Sequence, residues 1–161
     1  VAGRHTKENL MIGCILTGHG TFANGLADAL SMIAGDQDYF IPVPFIEAGA
    51  ASYPETLAST ISDLLDQTDG VLIFCDLLGG TPFNQAMMLS QNYNNVEVVT
   101  GTNLPMPLET LSLRLASTTL TDLLQTALES GIAGVSHKTL ELPAVVEPAL
   151  DDDSSFENDG I

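Results

Sequence analysis

The stretch "GVLIFCD", residues 70–76, constrains this chain more than any other. A continuous apolar run without alternation must be covered on both faces, which is the condition of a central strand in a parallel sheet flanked by helices. The surrounding sequence supplies those flanking layers. "MIGCIL" (11–16) is a second short apolar run, followed by a turn and by "TFANGLADALSMIAG", where Phe22, Leu26, Ala29, Leu30 and Ile33 recur at helical spacing up to Gly35. "YFIPVPF" (39–45) has strand composition, but Pro42 and Pro44 cannot donate to a ladder, so it is expected at a sheet edge. In "ASYPETLASTISDLLDQ" Pro54 opens a helix whose apolar stripe is Leu57, Ile61, Leu64 and Leu65.

Downstream of residue 76, "LLGGTPFNQAMMLSQ" is a Gly-rich turn into a helix, with Thr81 as N-cap and Pro82 in the first turn. "VEVVTG" (96–101) is a fourth strand, helices follow over about 105–115 and 119–130, and "HKTLEL" (137–142) is a last short strand. Alternating strand and helix with short turns gives an α/β fold, a doubly wound parallel sheet whose economical strand order is 2-1-3-4. Three regions result: a leader over 1–10, either added for expression or a polar extension, one domain over 11–142, and an acidic, Pro-rich tail or linker over 143–161.

Charge narrows the function classes. The 161 residues carry 4 Lys plus Arg against 21 Asp plus Glu, a net charge of −17. Such a balance opposes binding to nucleic acid or to anionic lipid and favours a basic protein partner. No apolar stretch reaches the roughly 20 residues a membrane-spanning helix needs, and "VAGRHTKENL" lacks the apolar middle of a secretory signal. A cytoplasmic location is the expectation. Cys14 and Cys75 lie in separate apolar runs, which suits buried reduced thiols better than a disulfide or a metal site. Met87, Met88 and Met106 read as core fillers, and His137 as an ordinary strand or surface residue.

In a doubly wound sheet the binding crevice lies at the carboxyl ends of strands 1 and 3. His19, in "LTGHG", follows strand 1, and Asp76 ends strand 3, so two residues 57 apart in sequence are expected to meet there. A carboxylate bonded to one ring nitrogen fixes the histidine tautomer and raises the basicity of the other nitrogen. "GHGT" and "LLGGTP" both open helices at this place, which makes the crevice an anion site suited to phosphate. A histidine beside such a cradle points to phosphohistidine chemistry. One histidine with one carboxylate is too small a set for zinc, and no cofactor is called for. The P-loop pattern is absent. Gly18, Gly20 and Ala23 do satisfy G-x-G-x-x-A, with Glu47 as a ribose acid, but a dinucleotide site leaves Asp76 and "LGGTPFN" without a role. A non-enzymatic regulatory domain that binds a small anion or nucleotide with the same amides is the alternative of a different class.

Three segments, "ILTGHGTFANGL", "VLIFCDLLGGTPFNQA" and "VVTGTNLPMPLET", resemble in order and spacing the signature regions of the mannose-family enzyme IIA domain of the bacterial phosphoenolpyruvate-dependent sugar phosphotransferase system. The resemblance covers about residues 11–142. It implies a homodimer in which the C-terminal strand, here "HKTLEL", crosses to the partner's sheet as an antiparallel strand. It also implies that His19 accepts a phosphoryl group from the phosphocarrier HPr and passes it to an enzyme IIB, which serves the membrane sugar-transport subunits. Asp76 would bond the His19 ring, and Gly20, Gly79, Gly80 and Thr81 would face the phosphate. Some members of that family join IIA to IIB in one chain, and no IIB domain follows in these 161 residues. "DLLGGTPF" and "TGTNL" look more like stand-alone IIA proteins of amino-sugar transporters. The related phosphohistidine subunit of dihydroxyacetone kinase is a second relative to weigh, and the full "LGGTPFN" turn speaks against it.

Overall fold

A computed structural model describes residues 11–114 and 118–141. The chain folds as β1 (Ile12–His19), α1 (Phe22–Ala34), β2 (Phe40–Phe45), α2 (Tyr53–Leu65), β3 (Gly70–Cys75), α3 (Thr81–Ser90), β4 (Val96–Val99), α4 (Pro105–Leu113) and α5 (Leu120–Ala133), with a 3₁₀ turn at Glu47–Gly49. The four strands form one parallel sheet in the order β2-β1-β3-β4. The order of these four strands is the one expected from the sequence. Every residue of β3 is buried, as a central strand covered on both faces must be. The proline-bearing β2 sits at an edge, where the missing N–H groups of Pro42 and Pro44 leave no gap between strands.

Each face of the sheet carries its own helical layer. Cys14, Leu16, Leu72, Phe74 and Val99 pack against Ala23 and Leu30 of α1, Met106 and Leu111 of α4, and Leu123 and Ala127 of α5. Ile15, Val43, Val71, Ile73 and Val96 pack against Tyr53, Leu57, Ile61 and Leu64 of α2 and Ala86 of α3. The helices that follow the neighbouring strands β1 and β3 therefore lie on opposite faces. This splitting opens the crevice above the carboxyl ends of those two strands.

Several expectations need correcting. β1 does not stop at Leu16 but continues to His19, because β2 pairs with it as far as His19 opposite Phe45. Gly18 is accordingly a strand residue and not a turn; a Cβ there would lie 2.6 Å from Phe22 Cδ1 and 2.8 Å from Asp76 Cβ, so the position is glycine for close approach. In α1 Leu30 is buried as expected and Phe22 and Leu26 pack against the core, but Ile33 is 57% exposed and Ala23 is buried in addition. Met106 fills the core, whereas Met87 and Met88 face outward. Residues 137–141 are exposed and without strand pairing in the single chain, Leu142 lies outside the described residues, and so do the proposed leader and tail at 1–10 and 143–161.

Both thiols are buried and free, and burial pushes Cys14 up to about 11 and Cys75 to about 12, which keeps them protonated and unreactive. Beside Cys14, the buried Arg114 at the end of α4 gathers the starts of two strands. Its guanidinium donates to the carbonyls of Ile12 (3.2 Å), Tyr39 (3.5 Å) and Asp38. Tyr39 takes a left-handed backbone, φ 53°, and its carbonyl also accepts the amide of Cys14 at 2.8 Å. Arg114→Met keeps an unbranched apolar stem and removes these donors. Because bonds from a charged donor contribute about 1.5–3 kcal/mol each and are not additive, the substitution should lower the unfolding free energy by about 2–4 kcal/mol. Urea titration should show a lower midpoint with an unchanged slope.

Candidate active site at the carboxyl ends of β1 and β3

The sheet brings His19 and Asp76 together as their positions in the sequence led one to expect. β1 and β3 run side by side with Thr17 opposite Cys75, so the residues that leave the two strands face each other across the crevice. One oxygen of Asp76, Oδ2, accepts two bonds from the same residue: the His19 amide at 2.8 Å and the His19 ring nitrogen Nδ1 at 2.7 Å. The second oxygen, Oδ1, accepts the amide of Leu77 at 2.8 Å. For Nδ1 to donate to a carboxylate it must carry the ring proton. Nε2 is then left with its lone pair free.

Exposure divides the pair. The Asp76 side chain is 11% exposed while that of His19 is 45% exposed, so the carboxylate is enclosed and the imidazole is open to solvent. Burial acts against the charge of Asp76. The hydrogen bonds from the amide and ring of His19 and from the amide of Leu77 outweigh it and hold the carboxyl below its ordinary value of 3.8. The anion is thus built into the folded state.

Around the ring the walls are backbone and aromatic. A Cβ on Gly80 would lie 2.6 Å from His19 Cε1, so the loop after β3 passes the imidazole at a distance that only glycine permits. On another side stands Phe45, its ring centroid 5.7 Å from that of His19 and nearly perpendicular to it, at 87°. Thr102, in the loop after β4, donates its hydroxyl (2.7 Å) and its amide (3.1 Å) to the carbonyl of Cys75, which ties that loop to the end of β3 beside Asp76.

The helix starts at this end differ from expectation in one residue. Gly80, and not Thr81, is the N-cap of α3, since a β-carbon on the cap would strike the histidine; Thr81 enters the first turn with Pro82. No side chain caps α3 or α1, in contrast to α5, where Thr119 and Asp122 form a reciprocal capping box. Asn84 is the first residue of α3 whose amide closes a helical bond, to the Gly80 carbonyl at 2.9 Å. The amides of Thr81 and Phe83 therefore point outward from the helix start as open donors. Gly79 makes the turn before them at φ +80°. Gly20 behaves otherwise: its amide donates to the Phe45 carbonyl at 2.8 Å, and its φ of +57° lets β1 turn into α1.

Such an arrangement holds one imidazole in one tautomer beside outward-pointing amides and a helix start, which favours a negative charge next to Nε2. Among the described residues no three His, Cys, Asp or Glu side chains gather to hold a metal ion, and no helix is long and apolar enough to cross a membrane. Sequence reasoning missed Phe45, Tyr53 and the Thr102 anchor. Phe45 was findable, because it ends the strand next to β1 and so reaches the same rim of the sheet.

Known proteins resemble the chain in sequence and in fold. The EIIA-man family, described as PTS system fructose IIA component, matches residues 13–128. The chain is 36% identical over 105 residues to the PTS system fructose-specific EIIA component of Bacillus subtilis, covering 65% of this chain and 71% of that one. It is 31% identical over 151 residues to the mannose-specific EIIAB component of Escherichia coli, covering 86% of this chain but only 45% of that protein's length. Among solved structures, a phosphotransferase system component EIIA from Streptococcus agalactiae superposes with a TM-score of 0.70 at 30% identity, over 79% of this chain and 97% of that one.

The depressed carboxyl carries a pH consequence. A group whose folded value lies below its unfolded one stabilises the fold fully above the unfolded value and loses that stabilisation as pH falls through the folded value. Asp76 should therefore contribute at neutral pH and lose its contribution below 3.8, whereas Asp76→Asn has no such titration. Urea unfolding of the two proteins across an acid series should show a stability difference that is level above about pH 5 and shrinks as pH falls further.

Proposed function

The chain belongs to the EIIA-man family and is a component of a sugar phosphotransferase system; from that premise we propose that it is a phosphohistidine carrier which accepts a phosphoryl group on His19. The observation that carries the reading is the doubly used oxygen of Asp76, which binds both the amide and Nδ1 of His19 and leaves Nε2 uncommitted on a side chain that is 45% exposed. A nucleophile needs this combination of one committed nitrogen and one accessible nitrogen.

In the proposed step the Nε2 lone pair forms a bond to phosphorus in line with the breaking P–N bond of a donor phosphohistidine. The electron pair of that bond returns to the donor ring. The proton on Nδ1 stays in its bond to Asp76, and the positive charge that develops on the imidazole is met by the carboxylate 2.7 Å away. The equatorial oxygens are met by the loop Gly79–Gly80–Thr81 and the open first turn of α3. Gly20, whose amide is given to Phe45, sets the backbone turn instead. The reverse step passes the group on by the same geometry.

The donor in this reading is HPr and the acceptor an enzyme IIB, in the cytoplasm, with the membrane sugar-transport subunits further along. A surface with so large an excess of acids suits donors and acceptors that carry basic residues around their own reactive groups. The protein is read as a homodimer. Support comes from the open edge of β4, which has β3 as its one neighbour, and from residues 137–141, which leave α5 exposed with Leu140 unburied. A segment without partners of its own and an unpaired strand edge complement each other across two copies.

Intact mass after incubation with phosphoenolpyruvate, enzyme I and HPr tests the carrier reading. The wild type should gain one acid-labile phosphoryl group and His19→Ala none, while the variant keeps a cooperative melting transition because the half-exposed ring is not part of the core. Asp76→Asn should still gain it, roughly 10–100-fold more slowly, the range seen when the partner that orients a functional histidine is removed. No gain by the wild type with active HPr would reject the reading and favour an anion-binding regulatory domain.

A further inference from the structure

The hydrogen bond from Nδ1 to Asp76 is one pivot, and a single hydrogen bond weakens steeply only when tilted by more than about 60°. A ring that must present its Nε2 lone pair along the axis of an in-line displacement needs a second restraint. The backbone of the Gly80 loop limits it on the Cε1 side. The remaining side is Phe45.

Phe45 is held more firmly than a side chain at a strand end requires. It stands opposite His19 in the β1–β2 pairing, and its carbonyl accepts the amide of Gly20 at 2.8 Å, so its backbone is bound on both sides of the histidine. Its ring meets Tyr53 of α2 edge to face, with centroids 5.0 Å apart at 71°. Tyr53 is buried, and its hydroxyl donates to Thr17 Oγ1 at 2.6 Å, since the Thr17 hydroxyl spends its own proton on the Val43 carbonyl at 2.7 Å. Thr17 lies two residues before His19 on β1, and Val43 two residues before Phe45 on β2. The contacts therefore close a circuit: His19, Phe45, Tyr53, Thr17 and back along β1 to His19. A buried hydroxyl pair inside a core is costly unless fully satisfied. Here the pair is satisfied, and it fixes the aromatic ring that touches the histidine.

We propose that Phe45 is a positioning residue that sets the plane of the His19 imidazole, and that the Tyr53–Thr17–Val43 hydrogen-bond chain holds Phe45 in place for that purpose. The role rests on the phosphohistidine reading of His19. Phe45 touches no reacting atom in the single chain and acts through the ring it confines. Its effect falls on the rate of transfer from the docked complex, because orientation of the nucleophile and affinity for the donor are separable.

The test uses the full chain as wild type, Phe45→Ala, Phe45→Leu and Tyr53→Phe. Rapid-quench single turnovers with phosphorylated HPr, at limiting and saturating donor, give the maximal rate and the half-saturating concentration; ¹⁵N spectra of the His19 ring report its tautomer without any phosphoryl transfer. Phe45→Ala should lose roughly 10–100-fold in maximal rate with little change in half-saturation, the scale of loss that follows small misplacement of a reacting group. Its two ring nitrogens should move toward an averaged tautomer. Phe45→Leu should restore most of the loss, and Tyr53→Phe should fall between wild type and Phe45→Ala. A wild-type maximal rate in Phe45→Ala, or a change confined to half-saturation, would overturn the positioning role. Should the wild type itself take up no phosphoryl group, the carrier reading fails on its own, and identical ring spectra for wild type and Phe45→Ala would still overturn the positioning role.

Discussion

A single carboxylate oxygen ties the two halves of this molecule together where they matter. Asp76 Oδ2 accepts the main chain of β1 and the ring that β1 carries, through the amide and Nδ1 of His19. Because both bonds end on one atom, strand and ring are referred to the same point, and moving either away takes a partner from a largely enclosed carboxylate. That constraint presupposes β1 and β3 as neighbours in register, which in turn presupposes apolar cover on both faces of β3. Fold and site thus depend on one another through two residues far apart in sequence.

The parts of the molecule that follow from periodicity were legible. A run as apolar as residues 70–75 has few places to go other than the middle of a parallel sheet, and two prolines in "IPVP" leave β2 few places other than an edge. Once the order of strands is known, His19 and Asp76 meet by topology alone. What escaped the sequence were contacts set by distance in space. The glycine at position 18 signals a turn in one dimension, yet it is there because Phe22 and Asp76 press against the strand. Gly80 took the capping role expected of Thr81 for the same kind of reason, the nearness of the imidazole. Phe45 and Tyr53 belong to segments that meet β1 through register and helix packing, and no spacing rule links them to residue 19.

The two tiers of packing around the histidine differ in kind. Asp76 acts through charge and hydrogen bonding, and its own amide partners stabilise that charge in the folded protein. The loop after β3 acts through shape, with the Gly80 backbone so close to the ring that a side chain at that position would intrude. Charge supplies direction and shape supplies limits. Neither alone confines a ring that turns about two side-chain bonds.

One earlier detail, the burial of Arg114 among strand-end carbonyls, governs how the outside of the protein looks to an ion. Only Arg114 and Lys138 carry permanent positive charge between Met11 and Leu142, against fourteen acids, and the fold has taken one of the two inside. The described surface is left as a nearly pure polyanion, which repels free phosphates, nucleotides and other small anions drifting past it. An anion reaches the open amides at the head of α3 against that field unless positive charge arrives with it. The domain is in this sense closed to loose cargo and open to delivered cargo, and the lock is a cation the molecule keeps for itself.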